Sequence, residues 1–193
     1  MSGPGLALVL DGPRHVGRST TLAALQHAWP RVRSGPLLEA GLDATLTALG
    51  PSRRRWSELV LPGAPPRDPA HPHLAWGPLG RELVRGMHRA AASWVRAGVD
   101  VGMDHTLFDQ ATLTDLTRCF ADLTVLHVRF VCDAEVLDDR EREAGEVFRG
   151  LAVAQLQAQR EVGTPGLVVD TSEATTSELV EVILAAVATT LRG

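Results

Sequence analysis

The chain has 193 residues, 45% of them hydrophobic and 22% charged, with a formal net charge of −4. That is one domain's worth of chain, spanning 1–193, with enough apolar residues for a single sizeable core. No apolar run nears the ~18 residues of a bilayer-crossing helix, and the acidic balance argues against a dedicated nucleic-acid binder, so neither membrane nor nucleic acid is expected as a partner.

Met1–Gly5 lacks the charged region of a secretion signal, and Cys119 and Cys132 are too few for a disulfide framework. Both features point to a reducing cytoplasm. Leu6–Leu10 (LALVL) is a continuous apolar run, the pattern of a strand buried on both faces of a parallel sheet. A Gly-rich turn follows, then a helix over Ser19–Trp29 stopped by Pro30. Pro36–Glu39 reads as a short strand and Leu42–Leu49 as a short helix closed by Gly50-Pro51. Leu61–Pro78 is dense in Pro and Gly without periodicity, and reads as a long loop or excursion, a kind of segment that is often functional.

Helical spacing returns over Leu79–Ala97, with Leu83, Val84, Met87, Ala91 and Val95 on one stripe and Gly98 at the stop. Val99–Met103 is a strand, Ala111–Phe120 a helix with Asp109 as its cap, and Leu123–Val131 the clearest strand in the chain. The charged segment Asp133–Gly150 precedes a helix over Leu151–Val162, a last strand over Gly166–Val169 and a helix over Ser177–Leu191. This alternation predicts an α/β fold: a five-stranded parallel sheet with helices on both faces. Ligands of such sheets bind beyond the carboxyl ends of the strands.

Directly after the first strand stands Gly12-Pro13-Arg14-His15-Val16-Gly17-Arg18-Ser19-Thr20. Gly12, Gly17 and Ser19 fit the phosphate-loop template G-x-x-x-x-G-K-[ST], and Arg18 stands where the template has lysine. The glycines let backbone N–H groups converge on phosphate oxygens, the helix start adds partial positive charge, and the Ser19 hydroxyl suits Mg²⁺. All nineteen basic residues of the chain are arginine, and lysine, asparagine and tyrosine are absent. GC-rich codons account for such absences, but the substitution still has a consequence at position 18. Arginine keeps the charge as a planar fork rather than a compact point. Arg14 suits either a further cation in the loop or a solvent-facing role.

With these motifs in view the chain resembles chloramphenicol phosphotransferase-like kinases, small P-loop proteins related in fold to nucleoside and shikimate kinases. Ala40-Gly41-Leu42-Asp43 is similar to the family's F-G-V-D stretch, which implies Asp43 as catalytic base. Gly77-Pro78 with Gly80 and Val95-Arg96-Ala97-Gly98-Val99 is similar to G-P-x-F…A-R-A-G. Val101-Gly102-Met103-Asp104 is similar to I-I-I-D, with Asp104 placed to hold Mg²⁺ beside Ser19, or else as a turn residue. Val168-Val169-Asp170-Thr171 is similar to V-D-T, which implies Asp170 near the adenine base. Asp138–Gly150 matches a lid in position, and implies Arg140 and Arg142 as catalytic cations. Arg140-Glu141 and Gly145-Glu146 match R-E…R-G-D-R, but Ala144 and Val147 stand where that pattern has arginines. Chemistry supports Asp43 separately, since an alcohol acceptor needs a carboxylate to orient it and take its proton. The other reading of Asp43 is a helix cap.

The resemblance implies an acceptor-binding excursion over about 51–78, in which Trp56 and Trp76 suit either stacking on a planar acceptor or packing, and Arg53-Arg54-Arg55 suits an anion or solvent. The seven histidines show no metal-ligand spacing, and both cysteines read as small apolar residues. The resemblance implies a kinase that uses ATP (or GTP) and Mg²⁺ on a hydroxylated small molecule, an antibiotic or nucleoside-type natural product. Two alternatives stand beside it: a nucleotide-binding module without turnover, its Walker lysine replaced by Arg18, and a kinase of a primary metabolite. Homo-oligomers fit any of the three.

Overall fold

The computed structural model describes residues 4–50, 60–62, 74–145, 150–163 and 166–192. Five parallel strands form the sheet: β1 (Leu6–Asp11), β2 (Leu37–Glu39), β5 (Asp100–His105), β6 (Thr124–Val131) and β7 (Leu167–Asp170). Their order is β2-β5-β1-β6-β7, so the chain leaves the central strand to one side and later returns to the other. A crevice at the carboxyl end of β1 follows from that reversal.

Side chains alternate across the sheet. Leu6, Leu8 and Leu10 enter one core and Ala7 and Val9 the other, all with no exposed surface. Burial on both faces is why β1 is apolar at every position up to Asp11. The first core is closed by α1 (Arg18–Ala28) and α7 (Thr176–Thr190), through Leu22, Leu25, Ile183 and Val187. The second is closed by α2 (Leu42–Ala48), α3 (Pro78–Arg96) and α4 (Gln110–Cys119), through Leu46, Met87, Ala91 and Leu116. Each fully buried leucine of this kind contributes about 1.5–3 kcal/mol relative to exposure. Pro78 opens α3 with its φ preset, and Thr175 with Glu178 makes a capping box on α7.

At the amino ends of the strands Asp100 ties the layers together. Its carboxylate accepts from Leu6 N–H (2.8 Å), Trp29 Nε1 (3.0 Å) and Arg33 through two nitrogens (2.8 and 2.9 Å). Burial alone would raise its pKa; Arg33, Leu6 and Trp29 reverse that and hold it below the usual carboxylate range.

The charged segment divides into α5 (Ala134–Glu143) and, beyond 146–149, α6 (Leu151–Arg160). Lid residues 146–149 lie outside the described residues, as do 51–59 and 63–73 of the acceptor excursion, with Trp56 and Arg53–Arg55. One expectation there needs correction. Leu61–Pro78 reads as loop, yet β3 (Val60–Pro62) pairs antiparallel with β4 (Leu74–Trp76), Val60 opposite Trp76. The short strands carry too few residues to show alternation, and long-range pairing makes them. Trp76 is buried against Phe108, ring centroids 4.8 Å apart, and packs rather than facing an acceptor.

Candidate active site

The phosphate loop begins where β1 ends. Gly12 N–H donates to the His105 carbonyl (3.2 Å), pinning the loop to the end of β5. A Cβ on Gly12 would lie 2.8 Å from Val16 Cγ1 and 3.0 Å from Phe130 Cβ, so only glycine turns there without displacing the core. His15 (φ 60°) and Gly17 (φ 99°) are left-handed, the conformation that turns successive N–H groups toward a common anion. Arg14 N–H donates to Gln155 Oε1 (2.8 Å), so α6 braces the loop.

Arg18 opens α1 and points into the protein. Its Nη1 pairs with Asp104 Oδ1 (2.8 Å) and also donates to the His105 carbonyl. The two side chains are 7% and 3% exposed, which makes this a buried ion pair. Arg18 Nε has no hydrogen-bond partner among the described residues. Asp104 Oδ2 accepts from the Ser19 hydroxyl, so one carboxylate joins the arginine in the lysine position to the Walker serine. A hydroxyl and a carboxylate oxygen side by side fit Mg²⁺, which takes one or two protein oxygens and completes its shell with phosphate and water. Among the described residues no group of three or more His, Cys, Asp or Glu could hold a metal without such help.

Behind Arg18 a polar chain runs to the surface. His105 Nε2 meets His88 Nε2 (2.8 Å), and His88 Nδ1 meets Asp115 Oδ2 (2.8 Å). Burial pushes both imidazoles below the usual histidine range, His105 well below; Asp115 only partly offsets this for His88. On the other side of β1, Asp11 receives Arg129 Nε and Nη2 (2.9 and 2.7 Å) and Leu107 N–H (2.8 Å). Burial would raise the Asp11 pKa, but His127, the Arg129 charge and Leu107 bring it down to about 2.

One pocket of about 480 Å³ joins phosphate-loop residues 14–20 to Asp43, Arg140, Glu143 and Ala144. Asp43 is exposed on the first turn of α2, whose N-cap is Gly41 with no side-chain cap bond. Its carboxylate is therefore not spent as a cap. Gly41 sits against β5: a Cβ there would lie 2.8–2.9 Å from the Asp104 carbonyl oxygen, Cβ and nitrogen. That close approach carries α2, and Asp43 with it, to the mouth of the loop. Arg140 reaches the pocket from α5 while Nη2 donates to the Thr171 carbonyl (2.7 Å).

Other expected residues stand apart. Arg142 pairs with Asp138 and Asp139 (2.6 Å each) on the exposed face of α5 and does not line the pocket. Asp170 is exposed at the end of β7, its carboxylate accepting from Ser172 N–H (2.8 Å) and Oγ (2.7 Å), outside the phosphate-loop pocket. Asp109 caps α4 through Thr112 N–H (2.8 Å).

Sequence reasoning missed Glu143 and Glu141. Glu143 stands three residues after Arg140, a spacing that shares one helix face and was the available signal. Glu141 is buried and its carboxylate accepts from Gly150 N–H and Ala152 N–H (3.0 Å), tying α5 to the start of α6. No local signal marks that role, because its partners lie nine and eleven residues on.

A family model described as chloramphenicol phosphotransferase-like protein matches residues 5–188. The fold is that of P-loop kinases. The APS kinase of Mycobacterium tuberculosis, solved with AMPPNP and APS, matches at TM-score 0.65 and 14% identity, covering 96% of this chain and 98% of its own. The tunicamycin resistance protein of Deinococcus radiodurans matches at TM-score 0.61 and 22% identity, covering 95% of each. A gluconokinase from Sinorhizobium meliloti 1021 matches at TM-score 0.60 and 19% identity, covering 100% of this chain and 98% of its own. No curated protein matches the sequence significantly.

Proposed function

The chain belongs to the chloramphenicol phosphotransferase-like family, and we propose that it moves the γ-phosphate of ATP or GTP to a hydroxyl of a small molecule. An antibiotic or nucleoside-type natural product is the acceptor class, which makes the role resistance or a protecting phosphorylation in biosynthesis. The observation that carries this reading is the single pocket shared by the phosphate loop, Asp43 and Arg140. The tunicamycin resistance protein among the structural matches agrees with the acceptor class.

The backbone N–H groups of 12–20 and the start of α1 bind the phosphates. Ser19 and Asp104 would hold Mg²⁺, which would supply positive charge against the phosphates. Asp43 accepts the acceptor's hydroxyl proton as that oxygen bonds to the γ-phosphorus and the bond to the β-phosphate oxygen breaks. The nucleoside diphosphate leaves, and the proton passes from Asp43 to water. Arg140 closes over the transferred group from α5 and draws off charge. Arg18 holds charge at the floor of the site, and its planar fork serves Asp104 and a phosphate oxygen in turn. The adenine lies toward Asp170 and the turn after β7. The site is assembled in the cytoplasm, and homo-oligomers are compatible with it.

The Arg18–Asp104 pair favours one second reading. If the pair persists when nucleotide binds, Arg18 is withheld from the phosphates and Asp104 from the metal, and the chain is a binding module without turnover. A phosphotransfer screen tests the choice, using ATP and GTP with Mg²⁺ across hydroxylated antibiotics and nucleosides. A product heavier by one phosphoryl group identifies the acceptor. No product, with nucleotide binding demonstrated and turnover appearing in Arg18→Lys, establishes the second reading instead.

A further inference from the structure

α3 carries two apolar faces where a surface helix needs one. Val84, Met87, Ala91 and Val95 enter the second core. Leu79, half-buried Leu83, Gly86, Ala90 and Trp94 form a second stripe, spaced by three and four residues, and it faces solvent. Leu79 and Trp94 are 41% and 42% exposed. Gly86 stands near the middle of this 19-residue helix, where glycine is the poorest helix former after proline. A Cβ there would meet nothing within 4 Å, so packing within the chain gives no reason for a glycine. With Ala90 one turn on, Gly86 makes a notch between larger side chains, and small side chains let a second helix approach closely. Charge marks one edge of the stripe. Glu82 is exposed and reaches only as far as Arg85 of its own helix (3.1 Å). Arg89, seven residues after Glu82 on the same edge, is exposed and makes no ion pair among the described residues.

We infer that this face is where two copies of the chain pair, α3 against α3, antiparallel about a two-fold axis. One register satisfies every feature. With the axis between Arg85 and Gly86, Leu83 of each copy enters the notch of Gly86 and Ala90 on the other, and Leu79 fits between Ala90 and Trp94. The two-fold brings like edges together, so Glu82 of each copy stands opposite Arg89 of the other, twice. Exposed ion pairs add little affinity, but they fix register and reject wrong partners. The helices overlap over about 24 Å at 1.5 Å per residue. One helix from each copy is a small interface, which makes the dimer reversible and micromolar rather than permanent. Pairing does not depend on phosphotransfer, and it stands or falls separately from the proposed function.

Sedimentation velocity on the full chain, from about 1 to 200 μM at pH 7, reads the association directly. Expected is a reversible dimer with a micromolar Kd. Gly86→Leu should weaken it at least tenfold by filling the notch. At about 1 μM, where the monomer prevails, the same variant should melt no lower than the parent, because its side chain meets open space within one chain. Glu82→Arg and Arg89→Glu should each weaken pairing at least fivefold, since each turns two attractions into two repulsions. The two changes together should return Kd to within about threefold of the parent. A chain that stays monomeric at about 200 μM overturns the inference, whether the face is then bare or met by another protein. A dimer unmoved by Gly86→Leu, or a double exchange as weak as either single variant, means another face or register and overturns it too.

Discussion

Replacing Asp104 by asparagine isolates the ion pair at the centre of the site. Asp104 and Arg18 are 2.8 Å apart and 3% and 7% exposed. At an effective dielectric of about 20 their attraction is roughly 6 kcal/mol before desolvation. Removing one partner of a buried pair strands the other charge and typically costs about 3–5 kcal/mol. Asparagine keeps an acceptor for the Ser19 hydroxyl, and Arg18 keeps the His105 carbonyl, which points to the low end, about 3 kcal/mol. For a chain of this size each kcal/mol moves Tm by about 2–4 °C, so Asp104→Asn should melt roughly 6–12 °C below the parent. Calorimetry at pH 7 without nucleotide measures this. Arg18→Met combined with Asp104→Asn leaves no stranded charge and should recover at least half the loss. A fall under about 2 °C in the single variant, or additive losses in the double, would refute the idea that Asp104 exists in part to balance Arg18.

Acid should act through Asp11. Its folded pKa, about 2, is depressed from 3.8, so its contribution is present above the unfolded value and is lost as pH falls from about 4 toward 2. The shift is worth roughly 2 kcal/mol, and the stability gap between the parent and Asp11→Asn, from denaturant midpoints, should narrow by about that much over the window. Gly41→Ala forces a Cβ to within 2.8–2.9 Å of the Asp104 backbone and should push α2 outward. Turnover is then expected to fall at least tenfold, with nucleotide affinity from calorimetric titration little changed. Arg140→Ala should weaken nucleotide binding or turnover about tenfold or more in steady-state assays, because Arg140 lines the pocket. Arg142→Ala should stay within about twofold, because its guanidinium pairs with Asp138 and Asp139 at the surface.

Features written in local pattern were legible in the sequence. The β1 run is apolar throughout because both sheet faces cover it, and the phosphate loop stands out because its glycines and Ser19 sit at fixed spacing after a strand. Asp43 could be placed on the ligand edge because it follows β2. Features set by distant contacts were hidden. That Arg18 turns inward to Asp104 depends on a partner 86 residues away (104 − 18). The β3–β4 ribbon depends on two three-residue strands finding each other, and the bonds of Glu141 on a separate helix, α6. Arg140 and Arg142 look equivalent in a charged run, and only the orientation of α5 separates the one in the pocket from the one in solvent.

The most direct test of phosphotransfer at this pocket compares the parent with Asp43→Asn, using γ-labelled ATP, Mg²⁺ and the acceptor found by screening. Asp43 is exposed and holds no cap, so the variant should fold and bind ATP within about twofold of the parent. General-base assistance is worth about 10²–10⁴ in rate, and label transfer should fall at least a hundredfold. Equal transfer by the two proteins would contradict the account.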